Sequence, residues 1–156
     1  MLRGEKEKIA FYVFAIIEVA LSVTQTGIGL CDGCSITDRL LYPFIHANIF
    51  HALGNLVVLW QCMSKFNVRW HVLVFYAIAV TFPLTSSTPI VGLSGFLYAW
   101  IGFIMPWVKA KLYYNCIITL IILAGFFLPG MAVGIHIYCY VVGMLWGYLN
   151  SPICKE

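Results

Sequence analysis

Long apolar stretches, broken only by short polar connections, leave this chain few folds that water could support. Six such segments can be drawn, at about 9–27, 44–62, 70–86, 91–108, 112–128 and 131–149. Each is near the ~20 residues that a helix needs to cross a ~30 Å hydrocarbon core. The shorter ones favour a thin or locally thinned membrane. Only 10% of the 156 residues are charged and 62% are hydrophobic, whereas soluble domains carry charge on about a quarter of their residues. The expectation is an all-α membrane protein, a six-transmembrane-helix bundle forming a single domain over 1–156. The first segment is too long for a signal-peptide core and lacks a small-residue cleavage site after it, so it is expected to stay.

The charges read as topology signals. With six crossings both termini share one side, together with Arg3, Lys6, Lys8, Lys65, Arg69, Lys109, Lys111 and Lys155, and only Arg39 lies opposite. The excess of basic residues makes the shared side cytoplasmic. Trp60, Trp70, Trp107, Tyr113, Tyr114 and Tyr148 fall near the same helix ends, where amphipathic rings favour the interface. This distribution predicts a multi-pass protein of a bacterial plasma (inner) membrane, with the bilayer as its partner. No basic run with interleaved aromatics occurs, so nucleic acid is not expected. The exterior loops are then about 28–43, Thr85 to Pro89, and Leu128-Pro129-Gly130. Turn-forming Gly27, Gly29, Gly33 and Pro43 interrupt the first. No internal repeat of the kind that builds inverted-half transporters is visible.

Applied to the polar residues, this topology brings three separate segments to one depth. His46 lies near the outer end of segment two, with His51 and Asn55 deeper. Ser94 opens segment four within Gly92-Leu93-Ser94-Gly95, and His136 lies in the outer part of segment six. His51 and Asn55 are four apart and share a helical face, as do Ser94 and Tyr98. Gly92 and Gly95 remove bulk around the serine, and a helix start leaves backbone N–H groups without intrahelical partners. Such donors, with the side chains of His51 and Asn55, can stabilise an oxyanion. His136 can accept the Ser94 proton and return it to a leaving amine. No Asp or Glu on the outer half of these helices stands ready to orient the histidine, so the expected unit is a dyad. The pattern points to peptide hydrolysis within the bilayer. It competes with a packing explanation, in which Ser94, His136, His51 and Asn55 are interhelical hydrogen-bond partners and the glycine-flanked serine is a small-residue contact.

These residues resemble the rhomboid family of intramembrane serine proteases. His46-Ala-Asn-Ile-Phe-His51-Ala-Leu-Gly-Asn55 is similar to the family's HxxxxHxxxN motif, Gly92-Leu93-Ser94-Gly95 to its GxSG, and His136 with Gly143 to its histidine helix and packing glycine. The resemblance implies a serine endopeptidase that cleaves transmembrane segments near the outer membrane face. Ser94 would be the nucleophile and His136 the base. His51, Asn55 and the Gly92–Gly95 run, Leu93 included, would support the oxyanion, and Tyr98 would stack on His136. His46 would be structural, bonding within the outer loop. The first outer loop is shorter than the usual lateral loop and lacks its Trp-Arg dipeptide. Ile135 and Cys139 stand where smaller residues are common, which implies a wider spacing of segment six from segment four. No metal or organic cofactor is implied. Substrates would be transmembrane proteins.

Other residues stay open. Glu18, midway along segment one, is expected to be protonated or hydrogen-bonded within the bundle, at greater depth than Ser94 and with no partner named. Cys31-Asp-Gly-Cys34 reads as a local disulfide, with redox or metal-binding roles as alternatives; one pair alone does not make a four-ligand zinc site. Cys62, Cys116 and Cys154 are expected to be free thiols, and His71 an interfacial residue. Two rivals to the protease remain: a catalytically inactive rhomboid-like protein that binds transmembrane clients, and a small transporter or channel subunit, which would line a path between both faces with polar groups.

Overall fold

The computed structural model describes residues 5–23, 27–66, 70–83, 87–127 and 131–150. They are all-helical apart from one antiparallel bridge between Leu30 and Ile90. The helices are α1 (Glu5–Val23), α2 (Ile36–Leu41), α3 (Ile49–Lys65), α4 (His71–Val80), α5 (Ser94–Ile104), α6 (Lys111–Ala124) and α7 (Val133–Asn150). Each of the six apolar segments overlaps one of α1 and α3 to α7. The seventh helix, α2, lies in the first loop, where no helix was expected. Its start is local chemistry: Ser35 and Asp38 form a capping box, with the Ser35 hydroxyl accepting from the Asp38 N–H and the Asp38 carboxylate accepting from the Ser35 N–H.

Among the described residues no single helix is long and apolar enough to cross a membrane. The stretch Ile36–Phe44 with Ile49–Lys65 reaches that length and composition only as a pair bent by 76°. Helix α4 stops short of its apolar segment where local polar groups take its last carbonyls. At the end of α4, Thr81 donates to Ala77 O at 2.7 Å, and Arg39 Nη1 reaches Val80 O at 3.2 Å and Phe82 O at 2.8 Å. A guanidinium at a helix C-terminus is favourable by about 0.3–1 kcal/mol at an exposed site. Arg39, the one basic residue expected outside, thus ties α2 to the end of α4. Beyond α5 and α6, the chain tightens into 3-10 turns at Met105–Trp107 and Gly125–Phe127. Thr85, Ser86, Leu128-Pro129-Gly130, Arg3, Arg69, Cys154 and Lys155 lie outside the described residues.

Helix α5 is the hub. From Gly95 to Ile104 every residue except Ile101 is buried. The other long helices turn large apolar side chains outward, among them Ile16 on α1, Phe50 on α3, Leu73 on α4, Leu120 on α6 and Leu145 on α7. The core beside α5 is aromatic, with Phe75 against Trp100 and Phe103 at ring-centroid distances of 5.7 and 5.2 Å. At the far end, Trp146 Nε1 donates to His71 Nδ1 at 3.2 Å and the His71 ring lies 4.6 Å from Phe103. His71 is therefore built into the bundle end as well as lying beside Trp70.

Candidate functional site

The chain approaches Ser94 through a constrained turn. Leu30 and Ile90 exchange two backbone hydrogen bonds of 2.9 Å, which pins the first loop to the segment before the serine. Gly92 then takes φ +114°, a conformation that favours glycine, and its N–H donates to Tyr42 O at 3.0 Å. A Cβ at Gly92 would fall 2.6 Å from Cε1 and 2.9 Å from Nε2 of His51, and 3.5 Å from Nδ2 of Asn55. Two demands therefore meet at this glycine: a left-handed backbone and a close approach by His51. Ser94 is the first residue of α5, so its N–H and that of Gly95 have no acceptor within the helix. The Leu93 N–H is directed instead toward His46 Nε2, at 3.4 Å.

Three helix starts converge here. Asn48 caps α3, accepting from the His51 N–H at 2.9 Å, which places His51 in the first turn and Asn55 one turn later. On α7, His136 is 3% exposed and its Nε2 lies 2.8 Å from Ser94 Oγ. Its ring stacks on Tyr98, with centroids 4.5 Å apart and planes at 27°. Nδ1 of His136 is buried with no hydrogen-bond partner. With Nε2 facing the hydroxyl, the serine and histidine stand as a pair with no carboxylate behind them.

Ile135 and Cys139 do not hold α7 away. A Cβ at Gly95 would lie 3.3 Å from Ile135 Cδ1 and 3.5 Å from Cys139 Sγ, so Gly95 makes room for the two larger residues rather than for the serine. Farther along, a Cβ on Gly143 would sit 2.1 Å from Ala99 O, one on Gly147 2.2 Å from Phe103 O, and one on Gly102 2.1 Å from Tyr140 O. Backbone meets backbone along this seam, and the expected wider spacing is absent. Gly147 and Gly102 were not singled out in the sequence, although Cys139, Gly143 and Gly147 recur every four residues, the small-residue spacing of close helix pairs.

His46 differs from expectation. It does not bond within the outer loop; its Nε2 faces Asn55 Nδ2 at 2.9 Å, and its Nδ1 lies 2.9 Å from Glu18 Oε2. Glu18 accordingly reaches the level of the site instead of lying deeper. His46 and His51 meet edge to face, at 5.1 Å between centroids. Cys31 and Cys34 are free thiols, not a staple. Their turn is closed by the Cys34 N–H to Cys31 O, at 3.2 Å, and followed directly by the Ser35 capping box, so backbone and cap hold it without a bridge. Cys62, Cys116 and Cys139 are also free, and no group of three or more metal-ligating side chains occurs among the described residues.

A scan against protein-family models matches none of them, and a search of curated proteins finds no match.

The arrangement has the parts for acyl transfer: a hydroxyl against an imidazole, unpaired amides at a helix start, and two polar side chains, His51 and Asn55, bracketing the turn before the hydroxyl. Asn55 commits one amide proton to His46, and its amide group carries a second.

Proposed function

We propose that this chain is a rhomboid-type intramembrane serine endopeptidase, a six-span bundle of a plasma membrane with both termini cytoplasmic. The observation that carries the reading is the 2.8 Å approach of His136 Nε2 to Ser94 Oγ at the open start of α5. Membrane residence draws support from the basic asymmetry and from apolar side chains turned outward on five helices, more than soluble monomers ordinarily expose. In the reaction, Ser94 Oγ attacks the carbonyl carbon of a transmembrane substrate while its proton passes to His136 Nε2. The oxyanion so formed is met by the Ser94 and Gly95 amides and by His51 and Asn55. His136 then gives its proton to the leaving amine as the C–N bond breaks, leaving an ester on Ser94. Water attacks that ester with His136 again as base, releasing the new carboxyl end and restoring the hydroxyl.

A serine-directed fluorophosphonate tests this reading. The purified full chain should be labelled at Ser94 alone and should cleave a transmembrane reporter. Ser94→Ala should abolish both, and His136→Ala should slow both by about 10²–10⁴-fold, the usual contribution of a positioned base. Folded protein that neither labels nor cleaves would favour the client-binding relative. Cleavage that survives Ser94→Ala would end the serine mechanism.

A further inference from the structure

Helix α1 packs Phe11, Phe14, Ala15 and Val19 against the core and sets a carboxylate among them. Glu18 is 0% exposed and is the only buried residue among those of α1 whose burial is described, while its neighbours Ile16 and Ile17 are 69% and 48% exposed. A carboxylate turned inward with isoleucines turned outward requires a partner, because a buried charge or acid left alone is costly. That partner is His46, 5% exposed, whose Nδ1 approaches Glu18 Oε2 to 2.9 Å as a close pair rather than an aligned hydrogen bond. The partners on the opposite edge of the ring argue for where its proton sits. Nε2 faces Asn55 Nδ2 at 2.9 Å and the Leu93 N–H at 3.4 Å. Both are donors, so Nε2 accepts and the proton is on Nδ1, toward the carboxylate.

We infer that Glu18 is a positioning residue: it holds His46 as the Nδ1–H tautomer, and His46 in turn fixes the Asn55 amide and the Leu93 backbone on which Ser94 is mounted. Glu18 touches no reacting atom. Its effect on rate rests on the serine-hydrolase reading, whereas its effect on the tautomer rests on the contacts alone. A role limited to anchoring α1 would lower stability and leave the rate of the folded protein unchanged, which separates the two.

The experiment compares Glu18→Leu, Glu18→Gln, His46→Ala and the Glu18→Leu/His46→Ala double variant in the full chain, at temperatures where thermal melts show each to be folded. Nitrogen-15 NMR of the histidines should show His46 as Nδ1–H in the wild type. Glu18→Gln, whose amide oxygen still accepts, should keep that signature, and Glu18→Leu should lose it. Fluorophosphonate labelling of Ser94 should slow by roughly tenfold in Glu18→Leu, within the coupling range of residues sharing one network. It should return toward wild type in Glu18→Gln. Adding Glu18→Leu to His46→Ala should slow labelling no further. An unchanged signature in Glu18→Leu, wild-type labelling by that variant, or additive losses in the double variant would overturn the inference. Should Glu18→Leu not fold, loss of the Nδ1–H signature in folded Glu18→Gln overturns it instead. A wild type that never labels, yet changes its His46 signature in Glu18→Leu, would refute the serine reading while keeping the tautomer assignment.

Discussion

Between α5 and α7 the helices touch backbone to backbone, and no side chain stands at the three closest points, Gly102, Gly143 and Gly147. Across the bundle, α1 packs on α3 through aromatic contacts, such as Phe11 on Trp60 at 4.9 Å, and joins the site through one buried polar pair, Glu18 with His46. The first contact sets how near His136 can come to Ser94. The second sets how the turn carrying Ser94 is held. Their tolerances differ accordingly. A backbone seam has no room for an added atom, because packed interiors cannot give at carbonyl oxygens as they can at side-chain tips. A polar anchor accepts a change of shape but not the loss of its partner.

Gly143→Val is the largest break available on the seam. Its first added carbon would lie 2.1 Å from Ala99 O and 2.8 Å from Ala99 C, so α7 must move as a whole. His136 rides on the same helix, seven residues earlier, which is nearly two turns along the same face. Fluorophosphonate labelling should fall by at least about 10²-fold, the scale on which a 1 Å misplacement of reacting groups acts. No contact with a reacting atom is removed. Labelling at the wild-type rate would show that the seam does not set the Ser94–His136 distance.

Gly92→Ala acts where the two regions meet, and a smaller loss is expected. The new methyl would press on His51, a side chain that can rotate away, while φ +114° adds a strain of order 1–3 kcal/mol for any residue other than glycine. His51 would be displaced from the turn, with Ser94 and His136 still paired. The expected signature is slower cleavage of the reporter by roughly tenfold to 10²-fold, since the donor proposed for the oxyanion is disturbed without being deleted. Melting should shift as well. Cleavage at wild-type speed would take His51 out of the oxyanion site.

Much of this site could be read from spacing alone, and the reason is helical geometry. His51 with Asn55 and Ser94 with Tyr98 are each four apart, and any helix puts such pairs on one face. Counting alternating segments puts Ser94 and His136 at one level, and the two side chains meet at 2.8 Å. Glu18 with His46 could not be read the same way. Periodicity gives the face of each helix but not the rotation of one helix against another, and it is this rotation that turns Glu18 inward. The role expected for Gly95 fails for a related reason: a glycine beside a serine in sequence need not serve it, and this one faces the neighbouring helix and receives Ile135 and Cys139. Helix α2 is different again. Its Ser35-x-x-Asp38 cap is visible in the sequence, but the glycines and cysteines just before it are those of a loop, and six residues are too few to show a helical period.

Gly54 offers the smallest effect and the sharpest control. It lies on α3 between His51 and Asn55, yet a Cβ there would meet nothing within 4 Å. Its closeness in sequence to two site residues carries no closeness in packing, since it points off the face they share. Gly54→Ala should leave fluorophosphonate labelling unchanged and raise the melting temperature slightly, because alanine is favoured over glycine within a helix by about 0.5–1 kcal/mol. The variant separates two meanings of an open glycine. If the space beside it holds only solvent or lipid, a methyl is accommodated and both labelling and reporter cleavage persist. If that space is where a substrate helix lies against α3, the methyl leaves labelling by the small fluorophosphonate intact and slows cleavage of the transmembrane reporter. Slowed cleavage with intact labelling would therefore place a third contact region beside the two compared here, one that forms only when substrate is bound.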